Sequence, residues 1–112
     1  MGAGSRGTVS RHATSRTGLT LPSELVLDVA GAVLGERSTV EMPNPVMGAE
    51  DWSYVLQQVP GAMAFLGTRP KGVAPHETAP NHSNRMVLDE DAMVAGIATY
   101  ASVALRWLAQ PR

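Results

Sequence analysis

Between Ala92 and Leu105 the chain carries no charged side chain, and that run constrains the fold more than any other feature. The spacing predicts a helix. Met93, Ile97, Ala101, Ala104 and Leu108 form one stripe, widened by Val94, Tyr100, Val103 and Trp107. Asp89, Glu90 and Asp91 precede it, and Arg106 and Arg112 lie near its end, as the helix dipole favours. A helix apolar around most of its circumference is expected to be buried in a larger body. A membrane span is the rival reading. Gly96, Thr99, Ser102 and the repeated alanines make the run small-sided and weakly apolar, which suits close packing on a sheet better.

The rest of the chain must supply that body, and 112 residues make at most one small domain. Aromatic residues are only 4% of the chain, so Leu, Val, Ala and Met must form the core. A first helix is predicted from Leu21 or Pro22 to Leu34. Pro22 suits its first turn, Leu25, Val29 and Val33 repeat every four residues beside Val26 and Ala30, and Gly35 stops it. Ser38–Met42 reads as a strand, and Pro43-Asn44-Pro45 breaks the chain. A second helix fits Glu50–Val59, with Trp52, Val55 and Leu56 on one face and Pro60-Gly61 as its end. Ala62–Leu66 reads as a buried strand, and Gly67–Arg85 as a long polar loop.

Residues 1–20 stand apart. They hold Arg6, Arg11 and Arg16 and no acidic residue, show no period of 2 or 3.6, and read as a disordered tail. The expected organisation is therefore a tail over 1–20 and one α/β unit over 21–112, with about three helices and two short strands. Two strands cannot make a sheet covered on both faces, so the unit reads as part of a domain whose other strands come from elsewhere.

Composition excludes several functions. A formal net charge of −1 argues against a general nucleic-acid or anionic-membrane surface; three arginines on a tail would give only weak, salt-sensitive attraction. With no cysteine there is no disulfide, thiolate metal site or cysteine nucleophile, which fits a reducing, cytoplasmic setting. No phosphate loop, dinucleotide fingerprint, zinc-finger spacing or Ser-His-Asp order is evident.

Two segments remain as candidates for chemistry. His82 lies in Asn81-His82-Ser83-Asn84, a polar loop just before the apolar helix, where a neutral imidazole could bind zinc, cobalt or manganese. A lone loop histidine is more often simply solvated. His76, six residues earlier and beside Glu77, makes a weak metal pattern with it, and His12 lies in the tail. Gly48-Ala49-Glu50-Asp51 precedes the second helix. It can be read as capping by Glu50 or Asp51, or as a helix start whose Gly48 and Ala49 N–H groups hold a substrate carboxylate.

Pro45-Val46-Met47-Gly48-Ala49-Glu50-Asp51-Trp52-Ser53-Tyr54 resembles a segment of the metal-dependent amidohydrolases. These are the aminoacylase, hippurate hydrolase and carboxypeptidase G group of metallopeptidases. Val59-Pro60-Gly61-Ala62 with Phe65-Leu66-Gly67 is similar to the next strand of that family. Asn81-His82-Ser83, then Asp89-Glu90-Asp91-Ala92-Met93 and the apolar helix, are similar to its C-terminal end. The order and spacing agree over about Leu21–Leu108, whereas Met1–Thr20 shows no such likeness.

The resemblance implies the C-terminal portion of a two-domain hydrolase of N-acyl amino acids or small peptides. In such an enzyme a metal-activated water attacks the amide and a glutamate moves protons. It also implies that His82 is a metal ligand and that Gly48–Asp51 lie near substrate. The family's remaining ligands, its general base and its inserted domain have no counterpart in these 112 residues. The chain alone is therefore expected to be inactive and to self-associate or meet a complementing chain. The other readings are one half of a split enzyme and a non-catalytic interaction module.

Overall fold

The structure is a computed structural model and describes residues 7–10, 22–41 and 51–111. Helix α1, Pro22–Leu34, begins as predicted, with proline in the first turn where its missing N–H is no loss. It ends at Gly35, whose N–H donates to the Gly31 carbonyl (2.9 Å). The φ of Gly35, 92°, is a left-handed value that glycine reaches without a Cβ penalty. One 3₁₀ turn, Glu36–Ser38, then leads into a strand at Thr39–Glu41, shorter than the expected Ser38–Met42. Met42 lies outside the described residues.

The largest correction concerns the N-terminal stretch. Gly7–Ser10 is not a tail but strand β1, the centre of a three-stranded sheet, with β2 at Thr39–Glu41 and β3 at Met63–Leu66. β1 runs parallel to β2, with Gly7 opposite Thr39. It runs antiparallel to β3, with Gly7 opposite Leu66 and Ser10 opposite Met63. In chain order β1, α1 and β2 thus form a strand–helix–parallel-strand unit. Four residues are too few to show alternation. This strand is specified by partners on both sides and not by its own pattern. The remainder of the expected tail, residues 1–6 and 11–20, lies outside the described residues.

Helix α2, Trp52–Gln58, is shorter than the expected Glu50–Val59, and Glu50 lies outside the described residues. Val59 turns to extended backbone before Pro60 and closes the helix by donating to the Val55 carbonyl (3.0 Å). None of its side chains is buried; Trp52 and Val55 stay exposed and Leu56 is half-buried.

Helix α3, Ala92–Leu108, has the extent the sequence predicts but the opposite inward face. Met93, Ile97, Ala101, Ala104 and Leu108, expected in the core, are all exposed. The inward side is the small-residue side: Ala92 is buried, and Ala95, Gly96, Thr99, Ser102 and Val103 are half-buried. Gly96 lies on this side and faces β3. A Cβ there would meet Leu66 Cδ2 at 2.8 Å, so any larger residue would require the end of the Leu66 side chain to move. α3 also packs against α1. The buried apolar residues among those described are Leu25, Val29, Ala30 and Ala92, with Ser23 beside them. Val33, the last member of the predicted α1 stripe, is exposed. No helix among the described residues is long and apolar enough to cross a membrane.

Candidate functional site

The loop between β3 and α3 is closed at its neck. Asp89 donates its backbone N–H to the Thr68 carbonyl (2.8 Å), so the chain leaves the sheet and returns beside its exit. Lys71 Nζ meets Asp91 Oδ2 at 3.3 Å near the same place, a solvent-exposed pair of small energetic weight. Inside the neck, Glu77 accepts the Ala74 N–H (3.0 Å) and Thr78 Oγ1 donates to the Pro75 carbonyl (2.6 Å), fixing the 3₁₀ turn Pro75–Glu77. A loop tied this way is an ordered surface element of the kind that carries functional side chains.

His82 occupies an unusual backbone position in this loop. Ser83 donates its N–H to the Pro80 carbonyl (3.1 Å), closing a four-residue turn. His82 is the third residue of that turn, with φ 68°. It is the one non-glycine residue with positive φ among those described. The left-handed region costs an L-residue about 1–2 kcal/mol. The following turn holds it from the far side: Met86 donates to the Ser83 carbonyl (3.2 Å) and Arg85 to Ser83 Oγ (3.2 Å). The imidazole is exposed. Sequence reading singled out this residue but gave no sign of its backbone.

The other predicted site residues are less well placed. Gly48, Ala49 and Glu50 lie outside the described residues. Asp51 is exposed and stands at the N-terminal end of α2. Its carbonyl accepts the Tyr54 N–H (3.0 Å), but its side chain makes no capping bond, so the capping reading fails for Asp51. The start of α3 is organised differently from a simple cap as well. Asp91, the residue before the helix, makes no side-chain cap bond, and Asp89 Oδ1 instead accepts the Asp91 N–H (3.1 Å). His76 is exposed in the 3₁₀ turn.

A metal centre needs three or four ligands. Among the described residues no group of three His, Asp, Glu or Cys side chains could hold a metal ion. The residues described therefore do not by themselves make the centre that the family resemblance implies. The sequence gives no hint of an apolar groove of about 370 Å³ between α1, β3 and α3, with Val26, Leu34, Phe65, Gly96, Thr99 and Tyr100 among its walls. Thr99 Oγ1 is buried there without a hydrogen-bond partner.

Comparison with known proteins accounts for these parts together. The family model described as Peptidase family M20/M25/M40 matches residues 9–106. That match begins inside β1, so it includes residues 9–20, where no likeness to the family was expected. Thermostable carboxypeptidase 2 of Saccharolobus solfataricus is 38% identical over 91 residues, which is 80% of this chain and 22% of the relative. An IAA-amino acid hydrolase, ILR1-like 4, of Arabidopsis thaliana is 37% identical over 81 residues, 72% of this chain and 18% of its own length. N-acetyldiaminopimelate deacetylase of Leuconostoc citreum is 34% identical over 65 residues, 58% of this chain and 15% of its own. The chain thus spans about a fifth of the length of the relatives it matches. The matched span takes in the second half of β1, α1, β2, the Asn81-His82-Ser83 loop and nearly all of the closing helix, and the chain belongs to the Peptidase M20/M25/M40 family.

Proposed function

We propose that this chain contributes the His82 loop to a metal-dependent hydrolase of amide bonds in N-acyl amino acids or small peptides, and is inactive without the rest of that enzyme. The single observation that carries the proposal is the φ of 68° at His82. A surface turn with no further role can take glycine or asparagine at this position and avoid the strain. Retained strain at a polar side chain is what a ligand or substrate contact would justify. The names of the relatives support the bond type, since carboxypeptidase, amino-acid conjugate hydrolase and deacetylase share cleavage at an amide. Gly48, Ala49, Glu50 and Asp51 are the residues we assign to the substrate side.

The proposal is tested in two steps. The purified chain, given zinc, cobalt or manganese, should cleave an N-acyl amino acid no faster than its His82→Ala variant, because one ligand cannot hold a metal usefully. Next, residues 21–108 replace the corresponding segment of the thermostable carboxypeptidase. This chimaera should hydrolyse an amide substrate, and His82→Ala in it should lower kcat/KM by at least ~100-fold, beyond the loss typical of residues that merely support a ligand. An active chimaera indifferent to His82→Ala would refute the assignment.

A further inference from the structure

Ser83 belongs to two consecutive turns, one on each side of it. Its N–H donates to the Pro80 carbonyl (3.1 Å) and closes the turn that holds His82 at φ 68°. Its carbonyl accepts the Met86 N–H (3.2 Å) and closes the next turn. Inside that second turn its Oγ accepts the Arg85 N–H (3.2 Å). The residue that ends one turn thus begins the other. From Pro80 to Leu88 every residue except Ser83 is exposed, and Ser83 is half-buried.

The two backbone bonds are open to any residue but proline. The third belongs to the side chain, a hydroxyl bonded to the amide two residues on. Its effect reaches back to His82. A turn with a left-handed third residue sends the chain on in one direction. If His82 relaxed to an ordinary φ, the chain after it would swing away and the Ser83 N–H would leave the Pro80 carbonyl. The Oγ bond opposes that swing, because it fixes the path of the chain just beyond His82.

The other proline turn of this loop, Pro70 to Val73, lacks this device and has no need of it. Its left-handed residue is Gly72 (φ 80°), which holds a positive φ without help. Val73 has no side-chain acceptor, and the residue two further on, Pro75, has no N–H to donate. Even so, the closing bond of the strained turn, at 3.1 Å, is no longer than that of the glycine turn, at 3.3 Å.

We propose that Ser83 is a positioning residue, whose hydroxyl keeps His82 in the left-handed conformation that presents the imidazole. This rests on the reading of His82 as the functional side chain. Threonine would supply the same hydroxyl, whereas alanine keeps the two backbone bonds and loses the third.

Amide hydrogen exchange at residue 83, followed by NMR in the full chain and corrected for intrinsic rates, reads closure of the His82 turn directly. Ser83→Ala should speed that exchange by roughly fivefold or more, the factor one net hydrogen bond is worth. Ser83→Thr should stay within about twofold of the parent chain. The decisive variant combines His82→Gly with Ser83→Ala. Glycine needs no hold, so protection at residue 83 should return to within about twofold of the parent. A hydroxyl that only steadies the second turn would give the same acceleration with histidine or glycine at 82, and that result would overturn the proposal. In the carboxypeptidase chimaera, Ser83→Ala should lower kcat/KM by about 10-fold, and Ser83→Thr should restore most of it. A chimaera that loses activity with His82→Ala but is indifferent to Ser83→Ala would overturn this proposal and leave the hydrolase reading intact. One indifferent to His82→Ala would remove that reading and this proposal with it.

Discussion

Two turns in the β3–α3 loop have the same form and opposite chemistry. Pro70 to Val73 and Pro80 to Ser83 each begin with proline and close with an N–H donated back to that proline's carbonyl, at 3.3 and 3.1 Å. Each puts its third residue in the left-handed region, Gly72 at φ 80° and His82 at φ 68°. Glycine is the expected occupant of that position, and the first turn has it. The second holds a bulky imidazole in the same backbone state. One loop thus solves one geometric problem twice, once at no steric cost and once at the expense of stability. The difference separates a turn that only redirects the chain from one that presents a side chain.

The largest effect should come from removing the glycine. Gly72→Val forces a β-branched residue into a conformation it strongly resists, and nothing lies within 4 Å of the added Cβ to compensate or obstruct. The expected loss is about 2 kcal/mol, read as a lower urea midpoint at constant slope. A loss below about 0.5 kcal/mol would mean the loop opens before the sheet and helices do, and the comparison of the turns would lose its energetic content.

The converse substitution should be smaller and of opposite sign. His82→Gly relieves the left-handed strain but adds unfolded-chain entropy, which leaves a gain of about 0.5–1 kcal/mol. In the chimaera described above the same substitution should abolish amide hydrolysis. A rise in stability joined to a loss of function is the signature of strain kept for a purpose. If His82→Gly destabilises the chain, the imidazole holds the loop together and needs no catalytic explanation.

How much of this was legible in the sequence varies with the physics at each place. The extents of α1 and α3 follow from apolar spacing, Pro22 and Gly35, because these signals are local. The inward face of α3 was misjudged. Its apolar sector is so broad that periodicity cannot choose a side; in the structure the small-residue side with Gly96 lies against Leu66, and Ile97 faces outward. β1 escaped notice because Gly7-Thr8-Val9-Ser10 owes its state to β2 and β3, tens of residues away. His82 was marked by its polar neighbours, Asn81 and Ser83. Its backbone state was not, since histidine is a poor signal for a position that glycine normally reports. Gly48, Ala49 and Glu50 lie outside the described residues, so the turn at His82 is the better-defined half of the candidate site.

The smallest expected effect concerns what ties the first turn to its surroundings. Lys71 sits between Pro70 and Gly72, and its ammonium group reaches Asp91, directly before α3. Both side chains are more than half exposed, at 64% and 83%. Water screens such a pair, and two long side chains give up rotamer freedom to form it, so the coupling should be below about 0.5 kcal/mol. A double-mutant cycle of Lys71→Ala and Asp91→Ala measures it directly, at low salt and again near ~1 M, where a surface pair should vanish. A coupling above about 1 kcal/mol that survived salt would make the first turn a charged anchor for α3, no longer a neutral reference for the second. With the weak value, backbone geometry remains the main difference between the turns, and the strain at His82 stands as the property that calls for a functional explanation.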